Sequence, residues 1–197
     1  MDGLRANAPT ERVVIRYCES LRGVGGVVFG TETAAGINDV YIHDCFFNGT
    51  NQGFLFKTRR PRGGGASRIT AERILIRNTR YSAFGCDMLG SHKWVGELAD
   101  RYPAREINIL TPRFGDISFK DIRVENSAEF ISFRGLPEMP ITNIIFEGAT
   151  VDCNKFISLT DVDGLSIKNS NIKVKDAEIT MDGCNNIVFD KTTITKQ

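Results

Sequence analysis

A short alternating strand pattern recurs down this chain at intervals too small for most folds. The segments are Val13-Val14-Ile15, Val40-Tyr41-Ile42, Ile74-Leu75-Ile76, Ile117-Ser118-Phe119, Ile144-Ile145-Phe146, Leu165-Ser166-Ile167 and Ile187-Val188-Phe189. Each places apolar residues two apart, which is the period of a strand. Their third residues stand at 15, 42, 76, 119, 146, 167 and 189, giving intervals of 27, 34, 43, 27, 21 and 22. Five residues beyond each comes Phe47, Tyr81, Val124, Val151, Ile172 or Ile194, with Ser20 as the exception. A second strand follows in most repeats: Val27–Phe29, Phe54–Phe56, Phe130–Phe133, Phe156–Leu159 and Ile179–Met181.

Repeats of this length mean a solenoid, a propeller or an array. Leucine-rich repeats need more Leu than Ile, and this chain has 20 Ile and 10 Leu. Propeller blades need four strands in about 40–45 residues. A parallel β-helix fits, with one repeat per coil and equivalent residues stacked in columns. The expected fold class is all-β, one domain over residues 1–197. Insertions are expected near 58–67 and 88–113. In the second, Val95, Leu98 and Tyr102 are predicted to share a helical face capped by Ser91.

Lys+Arg is 25 and Asp+Glu 24, a net charge of +1. That speaks against nucleic acid as a partner, and no apolar run approaches the roughly 18 residues of a membrane span. The first residues have no apolar core of a signal peptide. Five cysteines without CxxC spacing predict buried thiols, with no metal site and no cofactor.

Three segments carry candidate chemistry. Gly23-Val24-Gly25-Gly26 lacks a phosphate-loop lysine, and its glycines are predicted to bare a strand face for a ligand. In Gly53-Phe54-Leu55-Phe56-Lys57, inward Phe54 and Phe56 turn Leu55 and Lys57 outward. The repeat offset adds Ser132 and Arg134 to that face. Lys57, Arg134 and the loop residues Arg59, Arg60 and Arg62 then read either as a cationic groove for carboxylates or as a solvated basic turn. Asp87, Asp161 and Glu32 are the acids near enough to face such a groove. Trp94, beside His92 and Lys93, reads either as a face on which a sugar ring stacks or as a pin of the long insertion to the coil, and pinning is the expectation.

Residues 12–65 resemble glycoside hydrolase family 28, the polygalacturonases. The resemblance is carried by Gly23 to Glu32, by Asn38-Asp39-Val40-Tyr41-Ile42 with Phe47-Asn48-Gly49-Thr50, and by Gly53-Phe54-Leu55-Phe56-Lys57-Thr58-Arg59-Arg60. It implies a right-handed, pectin-lyase-like β-helix. It also implies that Lys57 helps hold a galacturonate carboxylate. Val24 stands where the family has its histidine and Leu55 where it has an arginine. These departures turn the expected partner from plain polygalacturonate towards a rhamnose-containing pectin or another acidic plant oligosaccharide.

The family's catalytic aspartates precede its glycine segment, and no residue here is assignable as acid or base. The resemblance thus implies the later coils of a pectin hydrolase, inactive alone, from a secreted or periplasmic parent. The alternatives are a non-catalytic β-helix that binds acidic glycans and a pectate-lyase-like protein. A chain without earlier coils is expected to leave the strand at Val13–Ile15 with an open edge.

Overall fold

The computed structural model describes residues 2–197. Its strands are β1 (Thr10–Arg16), β2 (Glu19–Phe29), β3 (Ile37–Lys57), β4 (Gly65–Arg77), β5 (Ser82–Asp87), β6 (Arg113–Arg134), β7 (Ile141–Glu147), β8 (Thr150–Thr160), β9 (Val162–Lys168), β10 (Asn171–Asp182), β11 (Asn185–Asp190) and β12 (Thr193–Lys196). Helix is confined to α1 (Asp2–Ala6), α2 (His92–Val95) and a 3-10 turn at Gly96–Ala99. None of these is long and apolar enough to cross a membrane.

Every pairing between these strands is parallel. One path runs β1-β3-β4-β6-β7-β9-β11, and the remaining strands pair along the same stack. The chain is therefore a stack of parallel coils, as the repeats predict.

The bends between strands are themselves columns. Arg12, Asp39, Arg68, Asp116, Asn143, Gly164 and Asn186 occupy one register position, and all have positive φ. Left-handed backbone costs an L-residue roughly 1–2 kcal/mol, and Asn and Asp tolerate it best. Side-chain bonds between coils offset that cost. Arg68 Nε donates to Asp39 Oδ1 at 2.6 Å, and Asn143 Nδ2 donates to Asp116 Oδ1 at 2.7 Å.

Inside, phenylalanines stack from coil to coil. Phe29 lies 4.7 Å from Phe56, and Phe119 lies 4.6 Å from Phe146. Gly26 belongs to this interior. A Cβ there would stand 2.2 Å from the Phe47 ring, so the glycine admits that ring rather than baring an outer face. Outside, the column Glu72, Lys120, Glu147, Lys168 and Asp190 alternates in sign. Opposite charges on neighbouring strands favour this register over a slipped one.

The register corrects the third coil. Ile42 pairs with Ala71, and Phe47 pairs with Ile76. The segment Ile74–Ile76 is thus the later half of β4, matching Cys45–Phe47 rather than Val40–Ile42, and the Tyr81 side chain is exposed instead of standing beneath Phe47. Ala71, fully buried, carries too little apolar surface to mark the inward position by pattern. With Ala71 paired to Phe119, the two swollen intervals become 29 and 48 residues. Residues 58–67 add almost nothing to their coil, and 88–113 carry nearly the whole insertion.

The predicted helical face in that insertion does not form. Ser91 does cap α2, accepting from Lys93 N at 3.3 Å. Gly96 then turns to φ +54 and ends the helix before Leu98 and Tyr102 can align with Val95.

The first coil pairs on one side only among the described residues. Val13 and Ile15 are partly buried against the core, and Val14 is 58% exposed.

Candidate functional site: a cationic cleft

The outer face of the stack near β3, β5 and β6 carries a row of charged side chains. Lys57 pairs in register with Asp87, and Asp87 with Arg134. The expected row of Lys57 and Arg134 is present, with a carboxylate between them. β5 supplies that carboxylate, and sequence reasoning did not mark β5 as a strand. Ser82, Ala83, Gly85 and Cys86 are too small to show alternation, although Phe84 is fully buried.

Asp87 is held on both oxygens. Its Oδ1 accepts from the backbone N–H groups of Leu89 at 3.1 Å and Gly90 at 3.3 Å. Its Oδ2 lies 2.8 Å from Arg134 Nη2. Gly30 closes the row from the preceding coil. A Cβ at that position, where φ is +115, would stand 1.8 Å from the Lys57 carbonyl oxygen.

Arg59 and Arg62 overhang this row. Arg59 Nη1 donates to the Trp94 carbonyl oxygen at 3.3 Å, and Arg62 Nη1 lies 3.1 Å from Glu32 Oε2. Among the described residues, neither Lys57 nor Arg59 has an ion-pair partner. Together with Trp94, Thr31 and Ser91, the row and its overhang enclose a cleft of about 560 Å³. Four cations and one carboxylate line it, so its field favours an anion.

Trp94 does not pin the insertion. It is 69% exposed and forms part of the cleft wall. Lys93 Nζ lies 4.9 Å from its ring centroid. The pinning falls to Arg60, which the sequence reading placed in the groove. Arg60 is only 4% exposed. Its Nε and Nη2 reach the two Glu138 carboxylate oxygens at 2.7 and 2.6 Å. Its Nη1 donates to the carbonyls of Asp100 at 2.7 Å and Leu98 at 3.3 Å. Burial, the largest single effect, pushes the Glu138 carboxyl up, but the Arg60 hydrogen bond and charge together with backbone hydrogen bonds outweigh it, so the group titrates below its ordinary value. Arg60 is thus a clamp between the coils and the insertion, and no donor is left for a ligand.

Asp161 also leaves the groove. It is buried, and both its oxygens accept from Arg101 at 2.8 Å. Glu32 stands behind Arg62 rather than in the cleft lining. Among the described residues, no three His, Cys, Asp or Glu side chains are grouped to hold a metal ion.

No protein-family model matches the chain, and no curated protein matches it by sequence. Among solved structures, a hyperthermoactive exopolygalacturonase from Thermotoga maritima superposes on it with a TM-score of 0.73. The two chains share a fold. The match covers 92% of this chain and 36% of the other, at 17% identity. This chain therefore spans about a third of that enzyme's length.

Proposed function

We propose that this chain is the substrate-holding part of a pectin-type, polygalacturonase-like glycoside hydrolase. In this reading its coils form a right-handed, pectin-lyase-like β-helix, and its cleft binds galacturonate-containing polysaccharide. The observation that supports it is the cationic row Lys57, Arg59 and Arg134 on a fold shared with an exopolygalacturonase. A charge-assisted hydrogen bond from Lys57 to a uronate carboxylate contributes roughly 1.5–3 kcal/mol.

Hydrolysis itself is assigned to residues outside this chain. An inverting glycosidase needs two carboxyl groups about 6.5–9.5 Å apart around a water. Among the described residues lining the cleft, Asp87 is the one carboxylate, and Arg134 and two backbone N–H groups hold it. The same observation favours a second reading, a β-helix that binds acidic glycans without cleaving them. Polymeric pectin lies outside cells, so the hydrolase reading goes with a secreted or periplasmic full-length parent.

Calorimetric titration with galacturonate oligosaccharides tests the proposal, alongside an assay for new reducing ends. Binding is expected without cleavage, and Lys57→Met is expected to weaken it roughly tenfold. Absence of binding would overturn the proposal. Cleavage that Asp87→Asn abolishes would overturn the assignment of catalysis to other residues.

A further inference from the structure

The first two coils carry a pair of cysteines in register. Arg16 pairs with His43 before them and Glu19 with Phe46 after them, both at an offset of 27 residues. Cys18 therefore stands beside Cys45, and the backbone N–H of Phe46 donates to the Cys18 carbonyl oxygen at 2.9 Å. We propose that Cys18 and Cys45 form an oxidisable dithiol site. A small-molecule disulfide, of which oxidised glutathione is one, converts it into a cross-link between the first coil and the second.

Geometry favours this pair alone. Neighbouring parallel strands lie about 4.7–4.9 Å apart, inside the roughly 4.4–6.8 Å between Cα atoms that a disulfide spans. The two side chains take the same direction. Cys18 Sγ donates to the Arg16 carbonyl oxygen at 3.2 Å, and Cys45 Sγ donates to that of His43 at 3.2 Å, each two residues back. Cys45 Sγ also lies 3.9 Å from the carbonyl oxygen of Ile15, in the first coil. Its sulfur thus sits in the gap between the coils, within hydrogen-bonding reach of the Cys18 thiol. The other three thiols have no such partner. Cys86 pairs with Phe56 and Phe133, and Cys153 pairs with Ser127 and Val174. Asn185 pairs with Asp163, so Cys184 stands beside Val162.

The two thiols differ in access, and that difference orders the chemistry. Cys18 is exposed, and Cys45 is only 4% exposed. Burial is the main cause that holds the Cys45 thiol above its ordinary value, and the Cys18 thiol adds to it. Cys18 therefore meets a reagent from solution, and Cys45 does not. The Cys18 thiolate attacks one sulfur of the small disulfide, forms a mixed disulfide and releases one thiolate. Cys45 then attacks the Cys18 sulfur and releases the second. The two cysteine protons end on the two released thiols. Two electrons leave the cysteine pair, and one small disulfide is reduced. Contact between the sulfurs makes the second step intramolecular, which offsets the small thiolate fraction of Cys45. The product staples the first coil, which has a neighbour on one side only among the described residues. It also anchors the start of β2, the strand that leads to Thr31 in the cleft lining.

The test is incubation of the reduced chain with oxidised glutathione at pH 8, then acid quenching, thiol counting in denaturant and a non-reducing tryptic map. The five thiols are expected to fall by two. Peptide 17–22 is expected to be bonded to peptide 23–57, since trypsin cuts after Arg16, Arg22 and Lys57. Cys45→Ala, a residue the same column accepts at Ala149, is expected to stop at the mixed disulfide on Cys18. Cys18→Ser is expected to keep all its remaining thiols. In the oxidised chain, amide exchange in β1 and the start of β2 is expected to slow at least about tenfold against the reduced chain. Five thiols remaining in the unaltered chain overturn the proposal. So does a lasting mixed disulfide on its Cys18, or a Cys18 link between two chains. These outcomes are read without any variant, so they decide even if a variant does not fold. A link that forms and leaves exchange unchanged overturns the stapling.

Discussion

The five cysteines show how burial sets reactivity residue by residue. All are free thiols, and Cys18 is exposed while Cys45, Cys86 and Cys153 are buried. Burial pushes the Cys153 thiol up to about 12 and the Cys86 thiol well above its ordinary value. Burial is also the main cause of the upward shift at Cys45. The thiolate is the reactive form, so these three are protected by neutrality as well as by access. Alkylation of the native chain at pH 8, followed by mass spectrometry, is expected to label Cys18 first. Labelling of Cys86 and Cys153 is expected to be at least about a hundredfold slower and to catch up in denaturant. Rapid native labelling of Cys153 would show that its coil is not packed as described.

The elements show where pattern was enough and where it was not. Strands with a large apolar residue at every inward position, such as Ile141, Ile144 and Phe146 in β7 and Val162, Leu165 and Ile167 in β9, are plain in the sequence. β4 was misregistered because its inward positions are Ile69, Ala71, Ile74 and Ile76, split by a bend at Arg73. The eye takes the second pair, because an alanine between polar residues carries little signal. The outward face of Lys57, Ser132 and Arg134 followed from alternation alone, since Phe54, Phe56 and Phe133 fix what points inward. The roles of Arg60 and Trp94 did not follow, because both depend on where a 48-residue coil folds its insertion. Loops have no period, so composition marked both residues and tertiary contacts exchanged their expected parts.

That exchange gives a prediction at the scale of the insertion. Removing one partner of a buried ion pair leaves an uncompensated charge and costs about 3–5 kcal/mol. Arg60→Met does this to Glu138 and also removes the donors to the carbonyls of Leu98 and Asp100. The melting temperature is expected to fall by roughly ten degrees, and proteolysis is expected to begin within residues 96–112. The double variant Arg60→Met with Glu138→Leu is expected to regain much of the loss, because no lone charge remains. The contribution of Glu138 also has a sign in pH. Its folded pKa is lowered, so its stabilisation is present above the ordinary glutamate value of about 4.3 and is lost as pH falls below that.

The whole molecule is close to one-dimensional: each coil touches the one before and the one after, and stability is carried by those contacts. A coil between two neighbours has its backbone groups and its inner side chains covered on both sides. A coil at either end is covered on one. The burial follows this rule. Inner residues of β4 and β6, such as Ile76 and Phe119, are fully buried, while Val13, Ile15 and Val27 near the start and Ile187, Phe189 and Ile194 near the end are only partly so. Local opening needs least free energy where fewest contacts are lost. Amide exchange should therefore be slow through β3, β4, β6 and β8, and at least about tenfold faster in β1, β2, β11 and β12. The cleft row lies in β3, β5 and β6, on coils with a neighbour on each side, so it should belong to the slow class. This placement matters for binding, because a preformed row of cations loses little ordering entropy when a ligand arrives. Hydrogen exchange read by mass spectrometry on the free chain distinguishes the cases. Protection in β1 equal to that in β4 would mean that the open edge is covered in solution. Fast exchange across β5 would mean that Asp87 and its neighbours are ordered only on binding.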